Sequence, residues 1–336
     1  MRLVSFSPAI TDPFIRNFVS LIHLRKMTYV NKLPVLGLLI LPTLGVIYAI
    51  WAALNGDITT LNVVMCVVGV ILTEYGITMG YHRLVVHKAY EPHPALKAVV
   101  LALGSMAFQG PVVNWASTHT KHHAHSDQEG DPHSPTISGF LYAHFEWLLE
   151  MDSDDMGEIK AKWGQRYLKD PMIKWFSDTF LFWGLGSLVL PAIIAFAIEG
   201  TGHAAFMGFI WGGLVRIFLS SHITWSVNSV CHYIGGRMFT TTDKSRNNFV
   251  VGILALGEGW HNNHHAFPAS AFHGMKWWQF DLTGLSIRLF EVLGLVKKVV
   301  RIPESLLEKR RYDGSLAAVN VQVLSMTEDG EPEEHA

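Results

Sequence analysis

Residues 98–125 read AVVLALGSMAFQGPVVNWASTHTKHHAH, with no Asp, Glu, Lys or Arg before Lys121. Such a run is long enough to cross a bilayer, which takes roughly 20 mostly apolar residues. Whether it crosses decides the fold. If it crossed, His119 would emerge on the face opposite His82 and His87, which close the preceding apolar run, and one site could not gather both. Gly104, Gln109, Gly110, Pro111 and Asn114 also suit a lipid-facing helix poorly. The stretch therefore reads as a buried segment that turns back without crossing.

Four other runs read as spans: 33–56, 58–81 (interrupted by Glu74), 179–198, and 204–227 (enclosing Arg216). Pro34 and Pro42 are expected to start or kink the first. A few residues around Asp57 join the first pair, and a few around Glu199 join the second. The expected fold is an all-α integral membrane protein, its four transmembrane helices forming two hairpins, with a cytoplasmic helical domain rich in histidine. Along the chain this gives a cytoplasmic N-terminal arm over 1–32, a single domain over 33–312 and a flexible acidic tail over 313–336.

Composition agrees. Of the 336 residues, 49% are hydrophobic and 16% charged, against about 25% charged in ordinary soluble domains. A net charge of −2 suggests no nucleic-acid partner. Cys66 and Cys231 form no CxxC pair, so a cofactor here depends on histidine rather than thiolate. No cleavable signal is expected, because the first apolar run starts near Leu33. The two short turns carry acids and neither Lys nor Arg, whereas the arm, the 146–178 segment and the 236–248 loop carry many. Positive-inside bias then puts the N-terminus, the histidine clusters and the C-terminus in the cytoplasm, at a membrane such as the bacterial inner membrane.

The histidines cluster as HRLVVH (His82, His87), HTKHH (His119, His122, His123) and HNNHH (His261, His264, His265). On a helix, positions i, i+3 and i+4 share a face, so each HxxHH offers a patch of three nitrogens. His82 and His87, five apart, would stand about 140° apart on an ideal helix, facing different metals or flanking a helix end. Eight imidazoles are twice what one tetrahedral zinc takes, which suggests two metals. His125, His133, His144 and His273 are candidates for supporting positions, and His222 for a satisfied polar group. His23, His93, His203 and His335 carry no signal. Metal-bound imidazoles usually donate their other N–H to a carboxylate or carbonyl. Asp127, Asp131, Asp243 and Glu258 are the candidates. An intramembrane acid such as Glu74 defaults to function, with no role assigned.

Several stretches carry a family likeness. GITMGYHRLVVHK (76–88), SMAFQGPVVNWASTHTKHHAHSDQEGDPHSP (105–135), TWSVNSVCHYIGGRMF (224–239) and SRNNFVVGILALGEGWHNNHHAFP (245–268) resemble the histidine boxes of membrane fatty acyl desaturases of the stearoyl-CoA, delta-9 type. Bacterial members are especially similar in the GDPHSP and GEGWHNNHHAFP stretches. The likeness covers about 76–296. It implies two irons as cofactor, O2 as co-substrate, a ninth ligand in His232, and Asn228 contributing through water. It also implies that Trp115, Thr224, Trp225 and Gln109 shape an acyl tunnel. The substrate would be a long-chain acyl-CoA, or an acyl group on carrier protein or phospholipid. Arg166, Lys169 and Lys162 are candidate grips for a carrier phosphate, although flanking charge on the third span explains them equally well. Electrons would come from a separate reductase, ferredoxin or rubredoxin-like protein.

Other readings stay open at this point. A di-iron hydroxylase of alkanes or acyl chains shares three such boxes and the same oxidant. A membrane metal transporter or metal-binding protein is a third reading, although transporter sites lie near the bilayer midplane. A zinc protease is disfavoured because HExxH does not occur.

Overall fold

In lipid an apolar segment must satisfy its backbone N–H and C=O groups within its own helix. The computed structural model, which describes residues 13–151, 153–312, 314, 325–326 and 332–333, meets that demand with four helices long and apolar enough to cross a membrane. They run Lys32–Leu54, Thr60–Val86, Phe180–Glu199 and Gly202–His232. The first is the end of a longer helix, Pro13–Leu54, that passes through Pro34 and Pro42, so neither proline starts it. Residues 1–12 of the expected arm, and all of the expected tail but 314, 325–326 and 332–333, lie outside the described residues. Leu44, Ile47, Ile50 and Trp51 on the first span and Leu181, Phe182 and Ile193 on the third stay exposed, as lipid-facing side chains must.

The two hairpins meet at their turns. Thr59 and Asn62 form a reciprocal cap at the start of the second span. Thr201 accepts from Ala204 N at the start of the fourth. His203 Nε2 lies 2.8 Å from Asp57 Oδ1, tying one turn to the other.

Residues 98–118 do not cross. They fold as a helix over Pro94–Met106, a reversal, and a second helix over Val112–His125. Glycines let the first of these press against the second span: a Cβ on Gly76 would strike the backbone of Leu103 and Gly104, and one on Gly104 the Tyr81 ring. The helix stops where Arg216, 2% exposed, donates to Met106 O at 2.7 Å and to Ser187 Oγ at 2.8 Å. Arg216 thus closes an orphan helix end inside the bundle. Phe108 (φ 64°) and Gly110 (φ 97°) then turn the chain in the left-handed region. The return helix brings His119–His125 back to the end of the bundle where the second span finishes.

Behind that end lies the largest core, with Ile77, Tyr81, Leu101, Val113, Phe176 and Ile287. Strand content among the described residues is limited to two short antiparallel pairs, Glu91–Pro92 with Val296–Lys297 and Ser325–Met326 with Pro332–Glu333.

Candidate metal centre

Four segments meet at this end: the close of the second span, the return helix, the turn Val230–His232 that ends the fourth span and the short helix His261–Ala266. The second span widens over Gly76–Val86 into π-helical winding, which closes i→i+5 bonds and occurs mostly at functional sites. His87 N accordingly donates to His82 O at 3.1 Å. Residues five apart now fall on one face, and the two rings stand 4.7 Å apart. The 140° separation of an ideal helix is abolished by the winding.

Nine imidazoles converge in two groups. His82, His87, His119, His123 and His264 place one nitrogen each within 4.8 Å of one another, and so do His122, His232, His261 and His265. These are the nine histidines singled out in the sequence. Their division differs from the expected pair of three-nitrogen patches. Each HxxHH splits: His119 and His123 join one group and His122 the other, while His261 and His265 join the second and His264 the first. The reason is angular. On a helix i and i+4 lie about 40° apart, and i+3 lies about 80° from the line between them. Two such helices facing each other exchange their i+3 residues.

The lone pairs face inward. In the first group His82 Nε2 is 3.1 Å from His264 Nε2, and His123 Nε2 is 3.0 Å from His119 Nε2. In the second, His261 Nε2 is 3.0 Å from both His232 Nε2 and His265 Nε2. Carboxylates fix the tautomers from behind. Asp131 Oδ1 lies 2.9 Å from His122 Nδ1, Asp127 Oδ2 2.8 Å from His232 Nδ1, and Asp243 Oδ2 2.7 Å from His265 Nδ1. Glu258 Oε2 lies 2.7 Å from His82 Nδ1 and 3.0 Å from His273 Nδ1. A neutral imidazole has one N–H. With it committed at Nδ1, the Nε2 atoms of His82, His122, His232 and His265 are bare acceptors, and His122 Nε2 is buried without a partner. Bare lone pairs 3 Å apart repel unless a cation takes them, so the donor set fits a metal at each group.

Electrostatics point the same way. Burial first, and neighbouring imidazoles second, hold His87, His119, His123, His261 and His264 well below the ordinary histidine range. They stay neutral, as ligands must. His122 is raised instead: burial lowers it most of any single cause, but the bond and charge of Asp131, with Asp127 and Asp243, together outweigh it. Asp127, Asp131, Asp243 and Glu258 remain charged despite burial, held well below the usual carboxylate range by the histidines they face.

Sequence reasoning missed Arg83 and Asp281. Arg83 is wholly buried and donates to Glu258 Oε1 (3.2 Å) and to both Asp281 oxygens (2.9 and 3.0 Å). It anchors the carboxylate that orients His82. An arginine beside a histidine at the end of an apolar run was the available signal. The two asparagines inside HNNHH were also passed over. Asn262 Oδ1 accepts from Met238 N and Phe239 N, and Asn263 Nδ2 donates to His273 O and Gln279 Oε1. They fix the short helix that neither length nor propensity would hold.

The other sequence candidates scatter. Trp115 stacks on His119 with ring centroids 5.0 Å apart and meets His82 edge-on. Gln109 Nε2 donates to Thr224 Oγ1 at 2.9 Å. Trp225 lies elsewhere, lining a cavity of about 160 Å³ with Leu38, Pro42, Phe218 and His222. His144 bridges Ser229 and His222 at 2.9 Å each. Asn228 is half-buried one turn before His232. Arg166 is held by Thr120 and the Tyr167 hydroxyl, apart from Lys162, which lines a second cavity that neither Arg166 nor Lys169 joins. Glu74 is 1% exposed, with Oε1 unpartnered among the described residues.

The sequence was compared with known proteins. A family model described as fatty acid desaturase matches residues 58–284. An sn-1 stearoyl-lipid 9-desaturase of Anabaena variabilis is 35% identical over 82% of this chain and 94% of its own length. A hex-5-enoyl-[acyl-carrier protein] acetylenase of Moorena producens is 33% identical over 81% of this chain and 87% of its own length. An acyl-CoA C20 Delta5-desaturase of Anemone leveillei is 37% identical over 70% of this chain and 72% of its own length.

Proposed function

This chain belongs to the fatty acid desaturase family, and we propose that it is a membrane di-iron enzyme that uses O2 to insert a cis double bond at the delta-9 position of a saturated long-chain acyl group. Its single domain spans 33–312. The reaction balances as R–CH2–CH2–R′ + O2 + 2 e⁻ + 2 H⁺ → R–CH=CH–R′ + 2 H2O. The observation that carries the reading is the convergence of nine imidazoles, with no carboxylate among them, into two adjacent groups. Imidazole suits iron. Iron when bound supplies the oxidant for an unactivated C–H bond, which side chains cannot provide.

The chain's own residues do the rest. His82, His87, His119, His123 and His264 would hold one ion, and His122, His232, His261 and His265 the other, with Asn228 in reach through water. Asp127, Asp131, Asp243 and Glu258 keep each facing imidazole in the tautomer that leaves Nε2 bare. Burial of the ligand rings limits water at the centre and protects a reactive oxidant from side reactions. Trp115, against His119 and His82, shapes the space beside the first group, where the reacting carbons would lie, and the Gln109–Thr224 bond is read as part of the acyl tunnel's wall. The acyl group arrives on a thioester or a lipid, the carriers named for the relatives being CoA, carrier protein and lipid.

The acids Asp57 and Glu199 at the short turns, with no Lys or Arg there, support a cytoplasmic position for the histidine end. The test is the fatty-acid profile of cells expressing the chain beside a His122→Ala control, with double bonds located by mass spectrometry. A new cis monoene absent from the control is expected. Hydroxy acids would move the reading to a hydroxylase.

A further inference from the structure

His133 is a buried imidazole outside both groups, and its place suggests a use. It stacks on His122 with ring centroids 4.4 Å apart and planes 30° apart. On its other side the Trp147 ring stands 5.2 Å away. Trp147 is half-buried in the short helix Trp147–Glu150 and lines a solvent-open cavity of about 470 Å³. Trp147 Nε1 and His133 Nδ1 are both buried without a hydrogen-bond partner among the described residues, so hydrogen bonding does not account for their places. Asp131, which orients His122, also lines the cavity. Two ring contacts therefore link the cavity to the second group, along the side of the protein away from the spans' turns.

We propose that this cavity is the port through which a one-electron carrier protein reduces the centre, electrons crossing from Trp147 through His133 to His122. The inference rests on the di-iron reading, whose reaction consumes two electrons for each double bond. Electron transfer weakens steeply with distance, and the contacting π systems make a short route inward from this cavity, beside the Asp131–His122 hydrogen bond. Glu150, Asp155 and Glu158 line the cavity together with Lys121 and Lys162, and Asp131 there is buried against His122, so neither sign of charge dominates its wall. Trp147 and His133 are positioning residues: neither holds metal nor touches substrate.

The test is stopped-flow reduction of the iron-loaded, oxidised protein without substrate, followed by the loss of the ferric absorbance. Two donors are compared: reduced methyl viologen, a one-electron cation, and the sulfur dioxide radical anion from dithionite. Trp147→Leu is expected to slow reduction by methyl viologen about tenfold, with iron content and helical circular dichroism unchanged, and Trp147→Phe to restore most of the rate. Parental rates in Trp147→Leu would overturn the port. Bound iron that neither donor reduces in the parent protein would overturn the di-iron reading itself, which a port failure leaves standing.

Discussion

The two imidazole groups are built from the same motif halves and differ in what stands behind them. Three of the four rings in the second group are backed by their own carboxylate: His122 by Asp131, His232 by Asp127 and His265 by Asp243. Among the described residues, only His82 of the five-ring group is backed, by Glu258, and that carboxylate is shared with Arg83 and His273. Carboxylates make an imidazole a better donor. A pair of like ions would therefore meet two unlike fields, the second richer in negative charge. The lesson is that ligand count and ligand strength were balanced separately: five donors with one strengthened on one side, four with three strengthened on the other.

The comparison can be broken outright at the ligands. His264→Ala removes one donor from the five-ring group and His122→Ala one from the four-ring group. Each is expected to bring desaturation down to background in the fatty-acid profile. Metal analysis of the purified variants should show loss centred on the group that was cut. An active His122→Ala protein would mean that the second group is not a working half of the centre.

One step down, the carboxylates sharpen the contrast. Asp127→Asn should weaken metal binding about 10–100-fold by competition against a chelator, because the acceptor at His232 Nδ1 loses its charge. With the parent protein, the same chelator should strip the five-ring group before the four-ring group. Simultaneous loss of both ions would show that the backing carboxylates do not set affinity.

Acid should separate the groups further in the metal-free protein. His87, His119, His123 and His264 have folded pKa values held below the ordinary 6.5. The unfolded chain then binds more protons than the folded one below that pH, so stability falls as pH drops from about 6.5. His122, raised in the folded state, opposes this from the other group. The low-lying Asp127, Asp131 and Asp243 add their loss only below about pH 4. Thermal unfolding of the metal-free protein should shift downward between pH 7 and 5. His119→Phe should flatten that slope, and an unchanged slope would contradict the assignment of a neutral ring there.

The smallest effect lies outside both groups. Thr224→Val deletes the acceptor of Gln109 Nε2 and should cost about 1 kcal/mol of stability, with metal content intact. Its mark should appear as a changed double-bond position or chain-length preference in the product.

Much of this was legible in the chain. Apolar length gave the four spans. The argument that His119 must return to the side of His82 identified 98–118 as non-crossing. The nine histidines were named, His232 only through family likeness, since VNSVCH has no neighbouring imidazole to mark it. Arg83 left a signal in its place beside His82, but its pairing with Asp281 was not legible, because it joins residues far apart in sequence. Thr224 and Trp225, neighbours about 100° apart on one helix, meet different partners: Gln109 bonds Thr224, and Trp225 lies against the first span.

By itself, then, the sequence determined which residue types are present, how far apart they stand, and that the apolar segments must be helices, since a backbone in lipid has no other partner for its hydrogen bonds. Only the tertiary structure decided which nitrogen belongs to which group. That choice depends on the π-helical winding that brings His82 and His87 to one face. It depends also on two short helices meeting so that each hands its i+3 histidine across, and both are settled by packing between distant segments rather than by local spacing.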